Sequence, residues 1–428
     1  MNLHRLPVLP TAATAAATPQ NMPGALIIGG AQVSLGIARS LGRRGIPVWL
    51  VADHPIAKFS RYVQRSFPWH GLDDCDGVAA LVGLAERYGL AGWVLLATGD
   101  EDMRVIAQNQ DLLAPHFRVA TADWATMRWL FDKRLTYQRA ASLDIDCPAT
   151  HLPRDVAECE RLDLRFPVVL KPACRHALNE FTRSKAWRAD DRAALLRLYR
   201  RAAAQVGDDA VIVQELIPGA GDTQFSHAGL WNNGEAIASL VARRTRQLPV
   251  DFGRSSTFVE TVEDAAVEAL ARHFLQSLNY TGVAEVEFKY DRRDRRYKLL
   301  DVNGRFWTWV GLGGRAGVDL PYLAWQQAVS QSVSPRHGKS GVAWMHTSRD
   351  LLAAWREVRQ GTLTIANYLA GFRKPLAFAN FALDDPMPAL VELPVLAWNQ
   401  IAVTSITRIK RGRRRDYTDG LAVGSQRR

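Results

Sequence analysis

The sequence has few cysteines and no long apolar run. Its four cysteines, Cys75, Cys147, Cys159 and Cys174, are scattered over 428 residues without a C-x-x-C pair. This spacing argues against a structural zinc site or a disulfide framework and predicts a reducing, cytoplasmic compartment. No uninterrupted apolar segment approaches the roughly 20 residues that span a bilayer. With 47% hydrophobic and 23% charged residues, the chain is predicted to form two or three globular domains.

Positive charge is concentrated at the C-terminus. The chain carries a formal net charge of +11, and residues 401–428 supply +6 of it through eight Lys or Arg against two Asp. The sequence lacks the interleaving of aromatic and basic residues that nucleic-acid modules use, so no nucleic-acid partner is predicted. An apolar stretch at 393–406 precedes the basic run at 408–415. Two interpretations stay open: a solvated tail, or peripheral contact with anionic lipid at the inner membrane face.

Two segments near residue 290 alternate between polar and apolar side chains, which is typical of β-strands. The first, GVAEVEFKYD, covers residues 282–291, and the second, YKLLDVNGRFW, covers residues 297–307. Since side chains alternate faces along an extended chain, Asp301, Asn303 and Arg305 share one face of the second strand. The sequence therefore predicts two strands with one polar face, which is either solvated or part of a site.

A short polar connection, RRDRR, joins the two predicted strands into a hairpin. A turn centred on Asp294 would place Glu287 directly opposite Asp301. Facing carboxylates destabilise a sheet unless they are neutralised, and together with Asn303 they form an all-oxygen set suited to Mg²⁺. A register shifted by one residue would instead leave Glu287 as a surface acid.

These residues resemble the hairpin that closes the nucleotide site of the ATP-grasp superfamily. In that family an acid on the first strand, followed by acid-x-Asn-x-Arg on the second, holds Mg²⁺ and a catalytic arginine. The resemblance implies that Glu287, Asp301 and Asn303 bind the metal and that Arg305 is catalytic. The usual acid at the position of Asp301 is Glu, so this chain has a shorter side chain there.

Two upstream lysines occur in the order that the resemblance requires. FPVVLKPA, residues 166–173, resembles the strand whose lysine, here Lys171, reaches the nucleotide phosphates. The segment that begins with Asp132 and Lys133 resembles the one that supplies the second phosphate-binding lysine. Each lysine alone is weak evidence, because most lysines are solvated.

The segment AVIVQELIPGAGD, residues 210–222, resembles the adenine hinge of the same family. The resemblance implies that Asp222 binds the ribose. It also implies that the adenine is lined by Gln214, Glu215 and Ile217. Taken alone, the segment is an ordinary sheet strand that ends at Pro218 and Gly219.

The loop after the first lysine strand departs from the family. ATP-grasp enzymes usually cover the phosphates with a glycine-rich loop, since backbone N–H groups approach a polyphosphate only where side chains are absent. The corresponding residues 173–188 contain no glycine. Arg183 and Lys185, with Arg175 and His176, either replace that cradle with side-chain charge or belong to a basic surface loop. Lys185 is assigned to the nucleotide site on the first interpretation.

Residues 24–53 predict a strand, a glycine turn, an amphipathic helix and a second strand, the opening of a parallel α/β domain. Gly29, Gly30 and Gly36, with Asp53, imitate a dinucleotide fingerprint, but their spacing is not G-x-G-x-x-G. A nicotinamide-dependent oxidoreductase therefore stays open as a second function class. A small α/β domain of this kind also precedes the ATP-grasp domain in the resembled family.

Two further pairs of charged residues are candidates for the substrate site. Asp100 and Glu101, after the strand in GWVLLATGDEDM, either approach the acceptor or favour a helix N-terminus. Arg243 and Arg244, in ARRTRQLP, either bind the substrate carboxylate or are exposed strand residues.

The predicted fold class is α/β: an ATP-grasp fold preceded by a small parallel α/β domain and followed by a C-terminal extension. The predicted parts are a disordered lead (1–22), the α/β domain (23–128), the ATP-grasp domain (129–330) and the extension with its basic tail (331–428). In the extension, the segment 349–372 predicts helix, with Leu351 and Trp355 on a core-facing stripe.

The resemblance is strongest to uncharacterised carboxylate-amine ligases, and it implies ATP and Mg²⁺ as cofactors. Such enzymes phosphorylate a small carboxylate, and an amine or amino acid attacks the acyl phosphate to give an amide, ADP and phosphate. Because the first step brings two anions together, cations must neutralise charge where it develops. A third function class, a non-catalytic nucleotide-binding protein that docks on a membrane or partner, stays open.

Overall fold

The computed structural model describes residues 22–395 except 53, 55, 70–75, 175–178, 185 and 250–254. The predicted disordered lead, apart from Met22, and the basic run at 408–415 lie outside these residues. No helix within the described ranges is long and apolar enough to cross a membrane.

The N-terminal part is a sheet of five parallel strands in the order β3-β2-β1-β4-β5. Its strands are β1 (Ala25–Ile28), β2 (Val48–Val51), β3 (Val63–Phe67), β4 (Trp93–Ala97) and β5 (Phe117–Val119). Its helices are α1 (Ala31–Gly42), α2 (Asp76–Tyr88), α3 (Asp100–Gln108), α4 (Gln110–Leu113) and α5 (Trp124–Phe131). Alternate residues of β1 pack into two different cores, so both faces of the sheet are covered, which explains its continuous apolar sequence.

The second part is a four-stranded antiparallel sheet in the order β6-β9-β7-β8. Its strands are β6 (Thr150–His151), β7 (Val168–Pro172), β8 (Trp187–Ala189) and β9 (Val211–Glu215). Its helices are α6 (Lys133–Ser142), α7 (Val156–Arg161), α8 (Glu180–Arg183) and α9 (Arg192–Val206). The sheet packs with α7 and α9 around a core of its own that includes Phe181 and Tyr199.

The third part is an eight-stranded sheet in which β14-β13-β10-β11-β12-β16-β17 are neighbours and β15 pairs with β11. Its strands are β10 (Gln224–Asn232), β11 (Glu235–Leu248), β12 (Ser255–Val262), β13 (Gly282–Asp291), β14 (Arg296–Asn303), β15 (Arg336–His337), β16 (Ala343–Met345) and β17 (Leu376–Phe378). Its helices are α10 (Ala265–Gln276), α11 (Gly311–Ala316), α12 (Leu320–Ala328), α13 (Thr347–Arg359) and α14 (Ile365–Ala370). A further helix covers residues 387–395.

The predicted extension contributes strands to this third sheet. β16 lies antiparallel to β12, with Phe258 opposite Met345, and β17 lies parallel to β16. Trp344 of β16 is buried in the same core as Ile27 of the N-terminal sheet. Residues 331–395 are therefore packed on the rest of the fold.

The prediction that Leu351 and Trp355 face the core is wrong. Each is 54% exposed, while Asp350, Ala353 and Ala354 of the same helix are buried. The reason is the buried ion pair between Asp350 and Arg246 of β11, with N–O distances of 2.9 and 2.8 Å. This pair fixes which side of α13 faces inward, and the large apolar residues lie on the other side.

Candidate active site

A cavity of about 140 Å³ opens where the three parts meet. Its polar lining residues are Asp100, Lys133, Arg183, Arg244, Ser256, Glu285, Glu287, Asp301, Asn303, Arg305 and Thr308. Its apolar lining includes Met127, Leu130, Phe131, Trp307 and Trp309. Four carboxylates and four cationic side chains thus surround one small space.

The β13–β14 hairpin places the predicted acids opposite each other. Glu287 pairs with Asp301, and Glu285 pairs with Asn303, so the predicted register is confirmed. The turn is not centred on Asp294, however, because Asp291 pairs with Arg296 and the pairing shifts between Glu287 and the next residue. One extra residue on β14 forms a bulge at this point. The bulge shifts the pairing by one residue and so places Glu287 opposite Asp301.

Helix α6 is fixed against that bulge. The Tyr137 hydroxyl donates to the Leu300 carbonyl at 2.8 Å. Asp132 caps the helix by accepting from the Arg134 backbone N–H at 2.9 Å, which starts the helix at Lys133. Lys133 consequently reaches across and forms an ion pair with Asp301.

Glu287 lies among polar side chains from three strands. It accepts from Gln224 Nε2 at 2.8 Å and from Asn303 Nδ2 at 3.2 Å. Arg244 Nη2 lies 3.3 Å from Glu287 Oε2, the oxygen that also accepts from Gln224. Asn303 Nδ2 also donates to Glu285 at 3.1 Å, so one amide connects both acids of β13.

Arg305 connects the hairpin to the N-terminal part. Its guanidinium makes a two-point ion pair with Asp100, the first residue of α3. It also lies 3.4 Å from Asn303 Oδ1. Burial lowers the pKa of Arg305, but Asp100, Glu285 and Asp301 raise it by more, so the guanidinium stays charged.

Glu285 is a site residue that the sequence interpretation did not assign. It is 2% exposed and lines the cavity beside Glu287. Burial, followed by the negative charge of Glu287, raises the pKa of Glu285 to about 7, against the opposing effect of Arg244. The signal was present, since Glu285 lies two residues from Glu287 and therefore on the same strand face.

The predicted adenine hinge lies outside the cavity, at the turn end of the same hairpin. Lys289 donates to the carbonyls of Gly219 and Ala220 at 2.8 and 2.7 Å, and it lies two residues beyond Glu287, about 7 Å along the strand. Of the hinge residues, Glu215 pairs with Arg293.

The other predicted nucleotide residues here are Lys171 and three residues of the hinge segment itself. Lys171 donates to Gln214 Oε1 at 2.7 Å, and Gln214 donates to Thr150 at 2.8 Å. Ile217 is 5% exposed, and Asp222 pairs with Arg292 at 2.8 Å. The structure thus places Lys171, Gln214, Glu215, Ile217 and Asp222 in a second group, outside the cavity lining.

The two predicted substrate arginines point to different places. Arg244 is 7% exposed and lines the cavity. Arg243 is not among the described lining residues and pairs with Glu260 on the neighbouring strand. Adjacent strand residues face opposite sides of a sheet, so only one of the two can reach the cavity.

The glycine-free loop is described only in part. Arg183, at the end of α8, lines the cavity, while Lys185, Arg175 and His176 lie outside the described residues. Helix α8 is fixed by a capping box in which Asn179 and Thr182 bond each other's backbone N–H groups. Arg183 is therefore presented to the cavity by an anchored turn of helix.

The donor set at the hairpin fits a hard cation by its chemistry. Glu287, Asp301 and Asn303 line one cavity and supply carboxylate and amide oxygens. In the part of the chain that the structure describes, no three His, Cys, Asp or Glu side chains are grouped as a metal site. Lys133 and Arg244 hold the two carboxylates instead.

Protein atoms fill the space around the N-terminal glycines. A Cβ on Gly29 would lie 2.1 Å from Thr98 Oγ1, and one on Gly30 would lie 2.5 Å from His54 Cβ. Gly36 similarly meets Val310 at 2.7 Å. These glycines are explained by close packing of the fold, and Asp53 lies outside the described residues.

Comparison with known proteins gives one curated relative. No protein-family model matches the chain. Over 237 residues the chain is 25% identical to the D-aspartate ligase of Enterococcus faecium (strain Aus0004). The match covers 52% of this chain and 56% of the relative, so it spans little more than half the relative's length.

Solved structures share the fold at low sequence identity. The biotin carboxylase domain of Hydrogenobacter thermophilus 2-oxoglutarate carboxylase, in complex with MgADP, ADP and bicarbonate, superposes with a TM-score of 0.58 at 14% identity, covering 74% of this chain and 72% of that one. L-amino acid ligase from Bacillus licheniformis has a TM-score of 0.56 at 16% identity, covering 72% and 76%. The chain therefore has the ATP-grasp fold behind a small parallel α/β sheet, and it resembles the carboxylate-amine ligases of that superfamily.

Proposed function

We propose that this protein is an ATP-dependent ligase that activates a small carboxylate as an acyl phosphate for attack by an amine or amino acid. The observation that supports this most is the cavity in which Lys133, Arg244 and Arg305 each pair with an acid around one space. The 25% identity to a D-aspartate ligase supports the same reaction class, the formation of an amide bond.

The reaction needs a site that tolerates several negative charges at once. In the first step a carboxylate oxygen attacks the γ-phosphorus, and ADP leaves with the electron pair of the broken P–O bond. In the second step an amine nitrogen attacks the acyl carbon, the C–O bond to phosphate breaks, and the nitrogen loses a proton. Preorganised cations stabilise such transition states because they need no reorganisation when charge develops.

The hairpin offers a path for the nucleotide. We propose that the base lies against the hinge formed by Gln214, Glu215 and Ile217, with Asp222 at the ribose. The phosphates then extend along β13 and β14 toward Glu287 and Asp301. These two residues lie about two residue pairs along the hairpin from Lys289, which contacts the hinge.

Cationic side chains hold the phosphates in this proposal. Lys171 approaches from the second sheet and Lys133 from the start of α6. Lys133 would exchange its partner Asp301 for a phosphate oxygen when the nucleotide binds. Arg183 adds a third cation from the side where other ATP-grasp enzymes carry a glycine-rich loop.

The proposed metal ligands are Glu287, Asp301 and Asn303. Bound Mg²⁺ would neutralise phosphate charge in this position. Asp301 and Glu287 can bind a cation only when Lys133 and Arg244 leave them to pair with phosphate and substrate carboxylate. Binding of the metal is therefore coupled to binding of the anionic ligands. Arg244 then faces the substrate carboxylate.

Arg305 is proposed to act where the acyl phosphate forms. It lies two residues beyond Asn303, and its planar guanidinium can bind two oxygens of a carboxylate or acyl phosphate. The ion pair with Asp100 orients it, and we propose that the same carboxylate receives an incoming ammonium group.

The decisive experiment is product formation by the purified chain. We expect ADP release with Mg²⁺ and ATP to depend on a carboxylate, and the product mass to equal carboxylate plus amine minus water. Tight ATP binding without ADP release in any metabolite pool would favour the non-catalytic nucleotide-binding protein. NAD binding in place of ATP would favour the oxidoreductase.

We also propose that the protein acts in the cytoplasm. Cys147, Cys159 and Cys174 are free, as expected of a reducing cytoplasmic compartment. The basic segment at 408–415 lies outside the described residues, and we propose that it contacts the inner membrane face.

A further inference from the structure

Exposed apolar side chains are concentrated in one stretch of the chain. Fourteen large hydrophobic residues of the described chain are exposed, and eleven of them lie between residues 351 and 393. Single exposed apolar residues are normal on a protein surface, but a cluster indicates an interaction site.

Helix α13 carries its large apolar residues on the outer side. Leu351, Leu352 and Trp355 are 54%, 41% and 54% exposed. At 100° per residue they share one face, whereas the opposite face holds the buried Ala353 and Ala354. An amphipathic helix of a globular protein normally buries its large apolar side. This helix therefore leaves its large apolar side exposed on the described fold.

Helix α14 and the turn after it repeat the arrangement. Ile365, Leu369 and Phe372 are 65%, 58% and 44% exposed, and their spacing puts them on one face. Tyr368 lies on another side, with Arg246 5.1 Å from the centre of its ring. The residue that contacts the core is thus the tyrosine, and the purely apolar ones point away.

Around α13 and α14 the exposed charges have one sign, and the exposed Asp384 further along the chain is paired with Arg43. Between residues 347 and 383, the exposed charged side chains are Arg356, Arg359 and Arg373. Of the two acids in the same range, Asp350 is buried in its ion pair and Glu357 is half-buried. Arg359 lies 4.9 Å above the Trp355 ring, so its aliphatic stem runs along the apolar face.

We propose that this C-terminal apolar surface, formed by Leu351, Leu352, Trp355, Ile365, Leu369 and Phe372, docks on an anionic lipid bilayer. Aliphatic and Trp side chains bordered by arginine are the composition of helices that lie in a membrane interface. The chain beyond the described residues adds 33 residues, whose segment 401–428 carries +6. That charge attracts the same lipid headgroups.

A second copy of the chain is the less favoured occupant. Two such surfaces facing each other would bring arginines together, and Asp384, an exposed acid further along the same region, is already paired with Arg43. An anionic bilayer provides both the acyl region and the negative charge. The inference does not depend on the proposed reaction, which takes place in a different part of the molecule.

Vesicle flotation of the full-length chain tests the proposal. We expect the protein to float with vesicles of equal parts phosphatidylglycerol and phosphatidylcholine but not with phosphatidylcholine alone. The double variants Leu351→Ser/Trp355→Ser and Ile365→Ser/Leu369→Ser should each weaken binding about tenfold or more, because buried acyl contacts supply much of the affinity. Bromine-labelled phosphatidylglycerol should quench wild-type fluorescence more than that of Trp355→Phe.

The matched control is Leu112→Ser/Leu152→Ser, which removes two exposed leucines outside the region. It should bind vesicles as the wild type does, and all variants should keep the wild-type melting temperature. Absence of flotation by the wild type overturns the proposal. So does flotation that neither C-terminal double variant weakens. Loss of a dimer in those variants, without vesicle binding by the wild type, would assign the surface to a second copy.

Discussion

Arg305 touches both halves of the candidate site, so its role can be tested by comparing stability with turnover. Its ion pair with Asp100 offers a purely structural account of the residue. Its place beside Asn303 in the cavity offers a catalytic account. Arg305→Lys should lower the turnover rate by roughly a hundredfold or more, about 3 kcal/mol, with ATP affinity nearly unchanged.

Melting temperature and single-turnover ADP formation on the same sample decide between the accounts. Asp100→Asn is the companion variant, because it weakens the same ion pair while leaving the arginine in place, and ADP forms before the amine step in which Asp100 is proposed to act. A destabilised Arg305→Lys protein with normal turnover would reject the catalytic role.

The two lysines that we propose to bind phosphate, Lys133 and Lys171, lie on different elements, α6 and β7. Lys133→Met and Lys171→Met should each weaken ATP binding by about tenfold or more, since each loses a charge-assisted contact. Isothermal titration with ATP and Mg²⁺ measures this. Lys339→Met, at an exposed lysine outside the cavity lining, should bind ATP as the wild type does. Wild-type affinity in both site variants would remove the assignment.

His227 is a fully buried histidine whose ring nitrogens have no hydrogen-bond partner among the described residues. Burial lowers the pKa of His227 to about 3, and the charges of Arg272 and His337 lower it as well. A histidine that is neutral when folded but protonates near pH 6.5 when unfolded destabilises the fold as the pH falls below that value.

Between pH 7.5 and 5.5 this linkage should remove about 1.4 kcal/mol of stability from the wild type. His227→Leu should lack that part of the loss and should be at least as stable at pH 7.5, because it buries no unpaired nitrogen. Urea unfolding of both proteins at the two pH values provides the measurement. Equal pH dependence would show that His227 does not titrate as stated.

At the scale of elements, the hairpin was predictable because its information is local. Alternation along β13 and β14 shows which side chains share a face of the hairpin, and facing acids require a cation. The sequence therefore predicts that Glu287, Asp301 and Asn303 lie together on one face. The bulge that sets their register does not follow from the sequence, because it depends on contacts such as that of Tyr137 with the Leu300 carbonyl. The partner of Arg305 is equally non-local, since Asp100 is 205 residues away.

Helix α13 shows the opposite outcome for the same kind of pattern. An apolar stripe predicts a buried face only when the inward position is free, and here Arg246 holds Asp350 inside. Periodicity alone does not reveal which side an ion pair will fix. Leu351 and Trp355 were therefore assigned to the core when they lie on the surface.

Helix α8 brings an anchored arginine, Arg183, to the cavity, and we propose that this arginine takes the place of a glycine-rich loop. Arg183→Ala should weaken ATP binding about tenfold, about 1.4 kcal/mol, because one charged contact to phosphate is lost. Arg188→Ala on β8 is the control, since Arg188 pairs with the exposed Asp190. Nucleotide titration of both variants gives the comparison, and equal affinities would show that Arg183 has no role in nucleotide binding.

At the scale of the whole molecule, the order of the parts along the chain was predictable. The return of the C-terminal region to the third sheet was not. The opening of the parallel N-terminal sheet and the β13–β14 hairpin follow from apolar runs and alternation, and the resemblance to the ATP-grasp fold implies the rest of the later sheets. The return of the C-terminal region to the third sheet depends on three-residue strands, and such short segments carry little periodic signal. The boundary predicted at residue 330 remains a proposal that truncation can test.

A chain ending at residue 330 should not fold cooperatively, whereas a chain ending at residue 395 should. The shorter chain loses the β16 pairing with β12 and leaves Arg246 without Asp350 and Arg39 without Asp385. Breaking a buried ion pair by removing one partner costs about 3–5 kcal/mol, so two such losses approach the whole stability of about 5–15 kcal/mol of an ordinary domain. Thermal unfolding followed by circular dichroism measures the outcome. A single sharp transition in the shorter chain, near that of the longer one, would show that residues 331–395 are an independent addition to the fold.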